Sequence, residues 1–205
     1  MIVVLDPGHG GADHGCSAGG LREKDLVLSI SQQIDAVLNM SATGVHVGLT
    51  RYSDKNLTLN EAGVEARVQE ADLVIAVHVD AAAKPDVRGQ WAIFLPEFGD
   101  VSKKSKLAAE AFLRAMPGSL RGRYRDPAAD MLATAATNKP GTEDDWLQRA
   151  RNVLLPHSHA PSFLVELGFL TNQKDRDLLG SIKGQAEIAI SAAAGILQAR
   201  HALGL

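Results

Sequence analysis

Residues 72–79 read DLVIAVHV. An apolar, β-branched run of this length fits a strand buried on both faces, the kind found inside parallel sheets. Its texture repeats in IVVL (2–5) and in VHVGLT (45–50). Between the first two of these strands in chain order lies EKDLVLSISQQIDAVL (23–38), with Leu26, Ile30, Ile34, Val37 and Leu38 at helical spacing. Those positions make one apolar face of an amphipathic helix. LTLNEAGVEARVQEA (57–71) reads as a second helix. The order strand, helix, strand, helix, strand predicts a parallel sheet joined by right-handed crossovers.

Further along, QWAIFL (90–95) and SFLVEL (162–167) supply two more strands, with a helix near KKSKLAAEAFLRAM (103–116) between them. GQAEIAISAAAGILQARHAL (184–203) is a last helix that closes one face. Residues 117–161 hold Pro117, Pro127, Pro140, Pro156 and Pro161 and the acidic stretch TEDDW, and read as a long excursion with one short helix over 143–152. The expectation is a single α/β domain over residues 1–205. It has a mostly parallel twisted sheet of about five or six strands, flanked by helices on both faces.

Composition narrows the function classes. With 205 residues, 45% hydrophobic and a net charge of −3, the chain can bury one sizeable core without a disulfide, which its single cysteine, Cys16, could not form internally. Basic residues do not gather into a run, so nucleic acid is not an expected partner. No segment approaches the ~18 apolar residues of a membrane span. The opening MIVVLD has no basic region before its short apolar run, so no signal peptide is expected.

In an open parallel sheet, ligands bind beyond the carboxyl ends of the strands. His9, His78 and Glu166 each stand at or just past such an end, and Glu23 begins the first helix, which starts at the same edge. Two histidines and a carboxylate are a donor set of catalytic zinc, with Glu166 then free as general base. Each residue also has a plainer reading. His9 fits a hydrogen-bonded loop histidine, and Glu23 fits the acidic preference of a helix's first turn. A carboxylate ending a buried strand is harder to explain, since it costs too much unless paired, coordinated or used in chemistry. The glycine-rich DPGHGG is no dinucleotide loop, because Asp13 stands where GxGxxG needs glycine. No HExxH and no GxxxxGK[ST] occurs. His14, His46, His157, His159 and His201 are expected in surface or core roles, with His157 and His159 near enough in LLPHSHAP (154–161) to reach the site edge. Cys16 reads as a small loop residue.

Taken together, VVLDPGHGGADHG (3–15), GLREKDLVLSI (20–30), LTR (49–51), ADLVIAVHVDA (71–81), a glycine before QWAIFL, and PSFLVELGFLTNQKD (161–175) resemble the zinc-dependent N-acetylmuramoyl-L-alanine amidases called amidase 3. Such domains occur in bacterial cell-wall hydrolases, autolysins among them, and in phage endolysins. The resemblance implies that His9, Glu23 and His78 hold Zn2+ and that Glu166 is catalytic. The implied reaction is hydrolysis of the amide between N-acetylmuramic acid and L-alanine of the stem peptide, by a zinc-activated water. Asp6 is a candidate carboxylate behind a ligand histidine, since such ligands normally donate their other N–H to one. Asp80 departs from the asparagine usual in the family, and Ala62 and Arg67 stand where an arginine and an asparagine are common.

The expected partner is peptidoglycan, met as a muramyl peptide, with no nucleic acid and no membrane insertion; the oligomeric state stays open. A bare catalytic domain without wall-binding repeats is expected. It would be a phage endolysin released through a holin or the catalytic domain of an exported bacterial enzyme. Two rivals stand beside this reading: a non-catalytic peptidoglycan-binding module, whose mark would be a lost ligand, and a zinc hydrolase of another amide.

Overall fold

A computed structural model describes residues 1–95, 98–118, 133–135, 155–157 and 159–205. The expected elements are present: β1 (Ile2–Pro7), α1 (Glu23–Asn39), β4 (His46–Leu49), α2 (Leu59–Val68), β5 (Leu73–Asp80), β6 (Trp91–Phe94), α3 (Asp100–Ala115), β8 (Ser162–Phe169) and α5 (Ile182–Leu203). Among the described residues five elements are additional: a two-stranded ribbon of β2 (Ser17–Ala18) and β3 (Leu21–Arg22), the strand β7 (Ala133–Ala135), a single 3-10 turn (Leu155–His157), and the helix α4 (Gln173–Gly180). The short helix expected over 143–152 falls outside the described residues.

The main sheet has the order β4–β1–β5–β8–β6–β7. From β4 to β8 all neighbours are parallel; β6 runs antiparallel to β8 and pairs parallel with β7. Chain direction and handedness then place the helices. From β1 the chain steps outward to β4 and then back across β1 to β5, so two right-handed crossovers in opposite senses put α1 and α2 on opposite faces. The reversal at β1 and β5 opens a crevice between their carboxyl ends, where open α/β sheets bind ligands.

Strand alternation divides the side chains between the faces. Val3, Leu5, Ile75, Val77, Phe163, Val165 and Leu167 face the larger core, which α1, α3 and α5 complete with Ile30, Ile34, Phe112, Ile188 and Ile196. Burying each such side chain stabilises the fold by about 1.5–3 kcal/mol over leaving it exposed. Val4 and Val74 face the other way, onto Ala66 of α2 and Ala160. Asp6, His78 and Glu166 fall on the same even-numbered face, at the end where the sheet opens.

The helix ends are set locally. α2 begins with a capping box, in which Thr58 Oγ1 accepts from Glu61 N and Glu61 Oε2 accepts from Thr58 N at 2.7 Å. Asn172 caps α4, Ser181 caps α5, and Gly204 ends α5 in the left-handed conformation. Among the described residues no helix is long and apolar enough to cross a membrane.

Candidate active site

At the crevice three side chains from distant parts of the chain meet. Glu23 Oε1 lies 3.1 Å from His9 Nε2 and 3.0 Å from His78 Nδ1. The two imidazoles stand edge to face, with centroids 5.1 Å apart. One donor atom from each of His9, Glu23 and His78 falls within 4.8 Å of the others, close enough to surround a single metal ion.

Two glycines make this approach possible. A Cβ on Gly8 would lie 2.3 Å from His78 Cε1, and one on Gly15 would lie 2.4 Å from Glu23 Oε2 and 2.6 Å from His9 Cδ2. His9 itself has φ +62°, a left-handed conformation that turns the chain sharply after β1. An isolated bridge between Gly10 and Asp13 closes that turn. It brings Asp13 Oδ2 to 2.8 Å from His9 Nδ1, which leaves Nε2 facing Glu23.

Glu23 is only 4% exposed, and backbone donors orient its carboxylate. Cys16 N donates to Oε2 at 2.9 Å and Val79 N to Oε1 at 3.1 Å. Burial pushes this carboxyl up, but the hydrogen bonds from His78 and His9 overcome it and hold it well below the usual range. Burial likewise lowers the His9 imidazole, yet Glu23 and Asp13 lift it to about 9. An imidazole–carboxylate–imidazole cluster of this kind is what a divalent cation would replace its protons in. The donor set of two imidazole nitrogens and one carboxylate oxygen fits a catalytic metal that keeps a position open. His78 Nε2 is buried without a hydrogen-bond partner among the described residues, a further sign of a polar site made for something else.

Sheet register supplies the fourth group. Glu166 of β8 pairs with His78 of β5 on one side and with Trp91 of β6 on the other, so the three share one rung. Its Oε2 is buried and has no hydrogen-bond partner among the described residues. Burial, helped by the charges of Asp80 and Glu23, raises the Glu166 carboxyl well above the usual value. Asp80, at the end of β5, is also raised by burial, to about 6. These groups line a cleft of about 670 Å³ together with Asn56, Leu57, Leu59 and Ala62.

Asp6 lines the cleft, but its hydrogen-bond partners are not His9 or His78. Thr50 Oγ1 donates to its Oδ1 at 2.6 Å, and its Oδ2 lies 3.1 Å from His157 Nε2. The carboxylate that meets one of the three candidate donors from behind is Asp13, on His9, in the loop that follows β1. His157 is fully buried and came to Asp6 from the far end of the excursion, while His14, His46, His159 and His201 are exposed. Ala62 is buried against the cleft, whereas Arg67 is exposed on α2. Cys16 does more than fill the loop: besides its backbone bond to Glu23, its thiol donates to Val79 O at 3.1 Å. Asp13 had a faint signal in its place in the glycine loop; His157 does reach the site edge, as LLPHSHAP allowed, but nothing in the sequence paired it with Asp6.

A family profile described as N-acetylmuramoyl-L-alanine amidase matches residues 3–198. An N-acetylmuramoyl-L-alanine amidase AmiC from Neisseria meningitidis is 31% identical over 216 residues, covering 95% of this chain and 51% of the relative. The chain thus spans about half the length of that protein. The Escherichia coli amidase AmiA is 28% identical over 224 residues, covering 98% of this chain and 76% of its own. Among solved structures, the amidase AmiC2 of Nostoc punctiforme superposes with a TM-score of 0.73 at 28% identity, covering 96% of this chain and 95% of that one.

Proposed function

The chain belongs to the N-acetylmuramoyl-L-alanine amidase family, and from that premise we propose that it hydrolyses the amide between the lactyl group of N-acetylmuramic acid and L-alanine in peptidoglycan. The observation that carries the reading is the site geometry: a His9–Glu23–His78 donor cluster beside the buried carboxyl of Glu166, whose Oε2 has no hydrogen-bond partner among the described residues, at an open cleft. His9, Glu23 and His78 would hold one zinc ion. When bound there, zinc supplies Lewis acidity, polarising a carbonyl and bringing the pKa of water towards ~7.

The remaining work belongs to side chains of the protein. Glu166 takes the proton that the attacking water gives up and passes it to the departing nitrogen of L-alanine, so that a carboxylate and a free amine result. Burial raises this carboxyl's affinity for protons, which favours its taking one up from water. Asp13 keeps the His9 ring turned with Nε2 inward. Leu57, Leu59 and Ala62 supply apolar surface to the cleft that would receive the amide.

The test is product identification on purified peptidoglycan sacculi. Expected are new α-amino groups on alanine, no new reducing sugar ends, loss of activity with a chelator and recovery with zinc. Intact sacculi after incubation with zinc-loaded protein, or new reducing ends, would overturn the proposal.

A further inference from the structure

The loop after β4 sends a cation beneath the donor cluster. Arg51 is only 3% exposed, and the carboxylates of Asp6, Asp54 and Asp25 act on it electrostatically without accepting a hydrogen bond from it. Its donors are used on peptide carbonyls. Nε donates to Pro7 O at 2.8 Å, Nη2 to Gly8 O at 2.9 Å and to Lys24 O at 3.0 Å, and Nη1 to Ser53 O at 3.1 Å. Pro7 and Gly8 lead directly into His9, and Lys24 directly follows Glu23. One guanidinium therefore ties together the backbones that carry two of the three donors.

Its neighbours in the loop reinforce the tie from the other side of His9. Lys24 Nζ donates to Gly11 O and to Asp54 Oδ2, each at 2.7 Å, while Gly11 N donates to Asp54 Oδ1 at 2.7 Å. An apolar residue of similar volume would avoid the cost of burying the charge while leaving four carbonyls without their donor. What an apolar residue cannot do is hold two chain segments at a set separation through a planar fork of donors; a lysine, with a point charge, cannot do it either.

We propose that Arg51 is a positioning residue that fixes the spacing of His9 and Glu23, and so prepares the site for its metal. The inference rests on the reading that His9, Glu23 and His78 hold zinc. Its test therefore uses metal affinity as well as turnover.

The variants are Arg51→Met and Arg51→Lys, with Arg88→Met as control, since Arg88 pairs with the buried Asp175 elsewhere in the fold. The zinc dissociation constant is read by chelator competition, donor geometry by the visible spectrum of the cobalt-loaded protein, and turnover at saturating zinc on a muramyl peptide. Both Arg51 variants should bind zinc about 10–100-fold more weakly, the range for groups that orient metal ligands. Their cobalt spectra should change, and kcat should fall with KM nearly unchanged. Arg88→Met should lower the melting temperature and leave zinc affinity and spectrum as they were. If Arg51→Met fails to fold, Arg51→Lys decides by the same measurements. Wild-type zinc affinity and spectrum in the folded Arg51 variants would overturn the inference, as would an equal loss in Arg88→Met. A wild-type chain that takes up no zinc would overturn the metal-site reading itself, and the inference with it.

Discussion

Adding a single methyl at Gly8 tests whether the donor cluster depends on close packing of backbone against ring. Gly8 has no left-handed backbone angle, so alanine meets no conformational obstacle of its own there. The obstacle is His78. The new Cβ would sit 2.3, 2.5 and 2.7 Å from three of its ring atoms, and the ring must retreat by about 0.7 Å to reach even the 3.0 Å limit of real contacts. The backbone of His78 cannot follow, because β5 is paired with β1 on one side and β8 on the other. Rotation of the side chain is the remaining escape, and it breaks the 3.0 Å approach to Glu23. Overpacking of this kind costs about 1–3 kcal/mol. At roughly 2–4 °C per kcal/mol for a chain of this size, Tm should drop by about 2–12 °C. A displacement near 1 Å at a reacting centre costs about 10²-fold in rate. Gly8→Ala should therefore stay folded, bind zinc more weakly and lose about two orders of magnitude in kcat. Gly20→Ala, where an added Cβ meets nothing within 4 Å, serves as the control and should lose some Tm through its positive φ alone. The assays are calorimetry, chelator competition for zinc and turnover on sacculi. Wild-type zinc affinity and kcat in Gly8→Ala would refute the reasoning.

Glu166→Gln should keep fold and zinc while kcat falls by about 10²–10⁴, since a proton shuttle and no ligand is removed; Glu23→Gln should instead weaken zinc retention. Zinc content beside turnover separates them, and the reverse pattern would exchange the two roles. Zinc should stabilise the chain by mass action, about 4 kcal/mol at a thousandfold excess over Kd, so calorimetry should show Tm climbing with zinc; a Tm indifferent to zinc would speak against a folded-state site. The Asp6 carboxyl is pushed up by burial, but hydrogen bonds with His157 and Thr50 prevail and hold it below its ordinary value near 3.9. The stability it contributes is present above about pH 4 and is lost as pH falls through its lower folded value. Asp6→Asn should flatten that acid limb in melting curves taken from pH 2 to 6; an unchanged limb would show that Asp6 carries none of it.

The parts of this site that were readable in the sequence share one property: strand and helix periodicity places them. Parity along β5 and β8 puts His78 and Glu166 on one face at one end, and the start of α1 brings Glu23 to the same edge. What escaped depends on contacts between irregular backbone segments. Asp13 faces His9 because His9 adopts a left-handed turn closed by the Gly10–Asp13 bridge, which no periodicity announces. Asp6 was expected behind a ligand histidine, yet its partner is a histidine far along the chain that tertiary packing of α2 on Leu155–His157 delivers. QWAIFL announced a strand but carried no direction; β6 proved antiparallel to β8. Arg51 stood in view within LTR, but its burial under two donor-bearing segments is a fact of three dimensions.

The strand order has a consequence for how the protein comes into being. β5 and β6 follow one another in the chain, yet β8 lies between them, so the sheet keeps a vacant lane until the chain has been made past Phe169. During vectorial synthesis His9, Glu23 and His78 emerge early, whereas Glu166 arrives only with the strand that fills the lane. A ribosome-bound or truncated fragment would thus carry His9, Glu23 and His78 without Glu166, and the four side chains share one site only when the last sheet position is taken.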